Sequence, residues 1–150
     1  MHIWVDADAC PKAVKEILYK AATRCQVKLT LVANSFLSIP QSPLFDAIRV
    51  GDGFNVADDE IVKLSSAGDL VITADIPLAD AIVDKGATAL NPRGELYTEE
   101  NIKGILRMRN LMEELRSGGM AGGGPPPFGP KDKQEFTNQL DRFLTKNVRK

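Results

Sequence analysis

One histidine, two cysteines and a net charge of -1 are the scarcities of this chain, and each removes a class of function. His2 opens the first apolar stretch, far from where a parallel strand would end. It is badly placed as a triad base, so a Ser-His-Asp hydrolase is excluded, and so is a histidine-based zinc site. Cys10 and Cys25 are too far apart to form a local metal-ligand pair and read as free thiols. The near-neutral charge gives no global sign of a polyanion binder; affinity for nucleic acid would need a local basic patch or a metal. No apolar run is long enough to span a bilayer, and no charged leader precedes an apolar signal segment. The expectation is a cytoplasmic protein with no membrane association. The sequence contains neither GxGxxG nor GxSxG, and no Gly-Lys-Ser/Thr follows its Gly-rich stretch.

What is present is ordinary globular composition: 150 residues, 43% hydrophobic and 26% charged. That suits one domain with a real core. "HIWV" reads as a strand closed by Asp6, and "PKAVKEILYKAATRC" as a helix, with Pro11 suited to its first turn. "VKLTLVA" is a second strand. "NSFLSIPQSP", residues 34–43, is a loop. "AIRVG" is a third strand, and Ala57 to Ala67 a helix with Ile61 and Leu64 inward. "DLVITAD" is a fourth strand, "PLADAIVDKG" a helix closed by Gly86, and "ATAL" a fifth strand. Strands alternating with helices predict a three-layer α/β/α sandwich around a mostly parallel sheet of about five strands.

Beyond the fifth strand, Thr98 can cap a helix whose apolar face is Ile102, Ile105, Leu106, Met112 and Leu115. "SGGMAGGGPPPFGP" is too rich in Gly and Pro for helix or strand and reads as a linker. "KDKQEFTNQLDRFL" is helical again, with Asp132 and Glu135 resembling a capping box and Phe136, Leu140, Phe143 and Leu144 in one stripe. The expected organisation is a body over 1–116, a linker over 117–130 and a helix over 131–150 docked on that body.

The chemistry-bearing residues are acidic. Asp6 and Asp75 each follow an apolar run, Asp8 lies near the start of the first helix, and Asp58 and Asp59 open another. In an open α/β sheet, ligands bind beyond the carboxyl ends of the strands. Carboxylates gathered there repel one another unless a cation neutralises them, and oxygen ligands favour Mg²⁺ or Mn²⁺. Each acid alone also fits a strand stop or a helix cap. Asp8 is divided evenly between cap and ligand. Asp58 is preferred to Asp59 because it stands one turn before the inward Ile61. Asp80 sits within a helix, where it can simply face solvent. Asn34, Ser35 and Thr73 could meet a phosphate oxygen or a metal-bound water at the same edge. Arg93 could pair with a phosphate or, equally, with a neighbouring carboxylate. Arg107, Arg109, Arg116, Lys131 and Lys133 flank the linker and could rim a site or only solvate a helix face.

The segments "WVDADACP", "VANS", "VADDEIV", "GDLVITADIPLA", "GATALNPRGELYT" and "GGGPPPF" resemble the YaiI/YqxD family of small bacterial proteins, over almost the whole chain. "ADDEI" followed by "LVITAD" is similar to the second half of PIN-domain nucleases. The resemblance implies a PIN-like fold in which Asp6, Asp58 and Asp75 stand for metal-binding acids, with Asp8, Asp59 and Asp80 as additions. The opening "DADACP" departs from the usual PIN pattern. Three functions follow as expectations. The first is a metal-dependent nuclease, for RNA before DNA. The second is a haloacid-dehalogenase-like phosphatase with Asp6 as nucleophile, suggested by "VDADA". The third is a PIN-like module that binds RNA or protein without cleaving.

Overall fold

A computed structural model describes residues 1–53, 55–117 and 127–148. The strands are β1 (His2–Asp6), β2 (Lys28–Ala33), β3 (Phe45–Arg49), β4 (Leu70–Ile72), β5 (Thr88–Leu90) and β6 (Leu96–Tyr97). The helices are α1 (Lys12–Cys25), α2 (Val56–Leu64), α3 (Ile76–Asp84), α4 (Glu99–Ser117) and α5 (Pro130–Asn147), and a 3-10 turn, Ala7–Ala9, follows β1. The sheet runs β3-β2-β1-β4-β5-β6, and all pairs are parallel except β5 with β6.

The sandwich forms because alternate residues of each strand face opposite ways. Ile3, Val5, Leu29, Leu31, Leu70 and Ile72 face one side, where they meet Val14 and Leu18 of α1 and Phe136, Leu140 and Leu144 of α5. Trp4, Val32, Val71 and Ala89 face the other, against Ile61 of α2, Leu78 and Ile82 of α3 and Ile102 of α4. The result is the expected α/β/α arrangement. The sheet has six strands where about five were expected. The extra one is two residues long, too short to show a period, and forms because the 91–94 turn sends the chain back along β5, pairing Tyr97 with Ala89.

Several boundaries move. The fourth strand ends at Ile72, so Asp75 stands at the N-cap of α3, its side chain accepting from Leu78 N at 3.0 Å. The second helix begins at Val56 and stops at Leu64, with Asn55 left-handed (φ 66°) before it. Lys85 ends that helix by donating to the carbonyls of Val62 and Ser65. Gly86 follows α3 at φ 87°, as the sequence suggested.

Ile102 is buried and begins α4's apolar face. Met112 and Leu115, expected to be inward, are exposed, as are Met108 and Leu111. α5 packs into the core through Phe136, Leu140 and Leu144, with Phe143 half-buried. Its first turn is closed by Asp132, which accepts from Gly129 N at 3.0 Å; Glu135 is exposed and takes no part in that cap. Gly94 lies so close to this helix that a Cβ there would stand 2.6 Å from the Glu135 carbonyl carbon. Of the expected linker, residues 118–126 lie outside the described residues, as do 149 and 150. Among the described residues no helix is long and apolar enough to cross a membrane.

Candidate functional site

The strand order turns at β1. The chain winds outward through β2 and β3 on one side and through β4 and β5 on the other. Such a switch point opens a crevice at the carboxyl edge, between the loops that leave in opposite directions. Asp6 ends β1 at this crevice, and Thr73 and Asp75 follow β4 beside it. α2 packs over β1 and β2 and brings Asp58 to the same place.

Asp6 is 9% exposed and does not cap the turn that follows it. Its Oδ2 accepts from the Thr73 hydroxyl at 3.0 Å, and that hydroxyl in turn accepts from Asp75 N at 3.0 Å. The Asp75 amide therefore fixes the direction of the Thr73 proton, and the proton points at Asp6. Burial raises the Asp6 carboxyl above its ordinary value; the Thr73 hydrogen bond opposes this, and the charges of Asp75 and Asp8 add to it. Asp58 is pushed up to about 7. Burial is the largest cause, followed by the charges of Asp75 and Asp6, a hydrogen bond with the Asp75 carboxyl and the charge of Asp59. The charges of Asp75 and Asp6 thus reach Asp58 across the crevice.

The other expected site residues are distributed unevenly. Asp59 is exposed on the outer side of α2. Asp8 is exposed and holds the end of β2: its Oδ2 accepts from Asn34 N at 2.8 Å and its Oδ1 from the Ser35 hydroxyl at 2.8 Å. Asp8 therefore clamps the loop after β2 while its charge still reaches Asp6, and Ser35 spends its proton on it. Asp80 is away from the crevice, paired with Lys103 of α4 at 2.6 Å. Arg93 pairs with Asp132 at 2.9 Å and lies 5.9 Å from the Phe128 ring centre, so its guanidinium ties the 91–94 turn to the start of α5. Of the flanking basic residues, Arg109 pairs with Glu113 along its own helix. Lys131, Lys133, Arg107 and Arg116 are exposed. Both cysteines are free thiols; Cys10 is buried, which pushes it up to about 12.

The donor set suits a hard divalent cation in its chemistry: oxygens only, with an excess of negative charge. In its geometry it is not an assembled site. Among the described residues no group of three or more His, Cys, Asp or Glu side chains is disposed to hold a metal ion.

Asp69, no candidate on sequence grounds, is as buried as Asp6 but lies at the opposite edge of the sheet. Phe36 and Arg49, also not candidates there, lie beside Ser35 at the ends of β2 and β3. An aromatic residue inside a Ser/Pro-rich loop, next to a strand end, was the signal available for Phe36.

Residues 4–146 match the family described as "Uncharacterized BCR, YaiI/YqxD family". The chain belongs to the YaiI/YqxD family. It is 75% identical over 148 residues to a UPF0178 protein of Maridesulfovibrio salexigens, covering 99% of this chain and 98% of that one. It is 62% identical over 147 residues to a UPF0178 protein of Shewanella pealeana, with 98% and 97% covered. A third UPF0178 protein, from Hydrogenovibrio crunogenus, is 60% identical over 149 residues, with 99% of each chain covered. No solved structure matches the chain. Family membership carries no activity with it, so the acid cluster must be interpreted from its own chemistry.

Proposed function

We propose that the crevice holding Asp6, Asp58 and Asp75 is the catalytic site of a divalent-cation-dependent phosphodiesterase acting on RNA. The observation that carries this reading is that carboxylates from three separate elements meet near the switch point of the sheet, where burial first, and then the charges of Asp75 and Asp6, push Asp58 up to about 7. A fold gains nothing in stability by placing like charges together in a partly buried crevice. Such an arrangement is expected where charge is to be used. Bound there, Mg²⁺ or Mn²⁺ would activate a water and neutralise a leaving phosphate oxygen. The residues themselves supply the frame. Thr73 fixes Asp6, the start of α3 fixes Asp75, and Asp58 can give up its proton as a cation arrives. The resemblance of "ADDEI" and "LVITAD" to PIN nucleases agrees with this reading.

The test is a calorimetric Mn²⁺ titration near pH 8, together with an assay for cleavage of single-stranded RNA. Asp75→Asn keeps an oxygen for the helix cap, and Asp58→Asn removes the titrating group. Each should weaken Mn²⁺ binding by at least about tenfold and abolish cutting. Equal Mn²⁺ affinity in wild type and both variants would reject the site. Cation binding without cleavage of any RNA or DNA would favour the non-catalytic module. A phosphoryl group trapped on Asp6 would favour the phosphatase.

A further inference from the structure

We propose that Phe36 and Arg49 form a subsite for one nucleotide of a single-stranded nucleic acid, with the base stacked on the Phe36 ring and a backbone phosphate held by Arg49. The proposal deepens the phosphodiesterase reading and rests on it for the choice of ligand.

A lone exposed phenylalanine is ordinary on a protein surface. Three features set this one apart. The first is how it is held. Phe36 is 79% exposed, yet the loop around it is tied down on both sides. Before it, Asp8 clamps Asn34 N and the Ser35 hydroxyl. After it, Leu37 and Ile39 pack against the core on the α1 side. The ring is thus presented outward by a fixed segment, so ordering it on a ligand costs little.

The second feature is its neighbour. Ser35, Phe36, Leu37, Ala47, Ile48 and Arg49 line one cleft of about 160 Å³. Arg49 ends β3, and the Val50 N bond to Ala33 O at 2.8 Å holds its backbone. Among the described residues its guanidinium has no carboxylate partner within ion-pair distance. An aromatic face beside an unpaired guanidinium is the pairing by which proteins hold single strands without reading sequence.

The third is position. Asp6, Val32 and Ile48 are level across β1, β2 and β3. The cleft therefore lies on the same carboxyl edge as the acids, about two strand spacings, or roughly 10 Å, away. A single strand laid along this edge would place one base on Phe36 and a neighbouring phosphodiester over Asp6. The Asp8 clamp links the two places, since it springs from the turn that follows Asp6.

The test is fluorescence anisotropy with a labelled oligouridylate and with an abasic ribose-phosphate chain of equal length, at low salt, with and without Mg²⁺. Wild type should bind the oligouridylate more tightly than the abasic chain. Phe36→Ala should weaken oligouridylate binding by roughly 5- to 150-fold, bring the two ligands close together in affinity, and leave the melting temperature unchanged. Phe36→Trp should retain binding, with its new emission quenched by the bound base. Arg49→Gln should lower the salt dependence by about one unit of slope. The proposal is overturned by full affinity in Phe36→Ala, by equal binding of the two ligands to wild type, or by no binding in either buffer. Mn²⁺ titration and cleavage are read separately. RNA held through Phe36 but never cut would remove the catalytic reading and leave this one. RNA cut equally well by Phe36→Ala would do the reverse.

Discussion

Two buried aspartates mark the two edges of the sheet, and they differ in everything except burial. Asp69 is 8% exposed and Asp6 is 9% exposed. Asp69 lies at the amino edge and is surrounded by donors: Oδ1 accepts from His2 N at 3.1 Å, and Oδ2 from Trp4 Nε1 at 3.1 Å and Ser66 N at 2.9 Å. His2 stacks on Trp4 at 4.0 Å and reaches Thr30 with its ring nitrogen, which closes the network. Asp6 accepts from the Thr73 hydroxyl alone among the described residues and faces the charges of Asp75 and Asp8. One edge spends its carboxylate on stability. The other gathers carboxylates whose charges act on one another. Burial alone does not separate the two acids; the donors around them do.

The largest effect that would sharpen the contrast is expected at Asp69. Asp69→Ala leaves the Trp4 indole N–H and two backbone N–H groups without their acceptor near the core. A cost of about 2–4 kcal/mol follows from buried donors left unpaired, read as a fall in the denaturation midpoint. A loss under about 1 kcal/mol would mean that water replaces the carboxylate easily and the amino edge is less closed than it looks.

How legible was this division? The α/β class was open to inference because the strands are apolar runs between amphipathic helices, and burial on both faces makes such runs. The acids at 6, 58 and 75 were legible because chain direction in a parallel sheet decides which end of a strand is shared. The choice of Asp58 over Asp59 followed from the inward Ile61. Other features depend on contacts far apart in sequence. Asp69 opens the same "DLVITAD" stretch that carries Asp75, yet only the return of His2 and Trp4 shows what it does. Arg93 was divided between phosphate and carboxylate, and the choice of Asp132 depends on where α5 begins. Met112 and Leu115 fit the helical stripe of Ile102, yet they are exposed where Ile102 is buried. Periodicity reports what a helix could bury, not what its neighbour reaches.

A middle-sized effect concerns Asp58 and pH. A carboxyl raised in the folded state contributes in full below its ordinary value of 3.8, and that stability is lost as pH rises toward about 7. Metal-free protein should therefore lose stability between about pH 4 and pH 7. The group is partly open to solvent, which discounts the loss to on the order of 1 kcal/mol. Asp58→Asn should flatten that slope and be the more stable protein at pH 8. Parallel pH profiles for wild type and variant, from denaturant melts in EDTA, would show that the Asp58 proton is not raised.

The smallest effect lies at Asp6 and has the opposite sign to the one at Asp69. Asn is the same size, and its carbonyl oxygen can still accept from Thr73. The substitution removes one negative charge from the set around Asp75 and keeps the hydrogen bond that defines the crevice. The raised Asp6 carboxyl sets the sign: its charged form is disfavoured by folding at neutral pH, so removing the charge should stabilise the folded state. The gain expected at pH 8 in EDTA is about 0.5 kcal/mol, and it should vanish near pH 3, where the carboxyl is protonated in both states. Added Mn²⁺ should reverse the order, stabilising wild type more than Asp6→Asn, because a ligand stabilises only the fold that binds it. Melting curves at two pH values, with and without Mn²⁺, give all four terms. If Asp6→Asn is destabilised in EDTA as Asp69→Ala is, the two edges are alike and the acid at the crevice serves the fold after all.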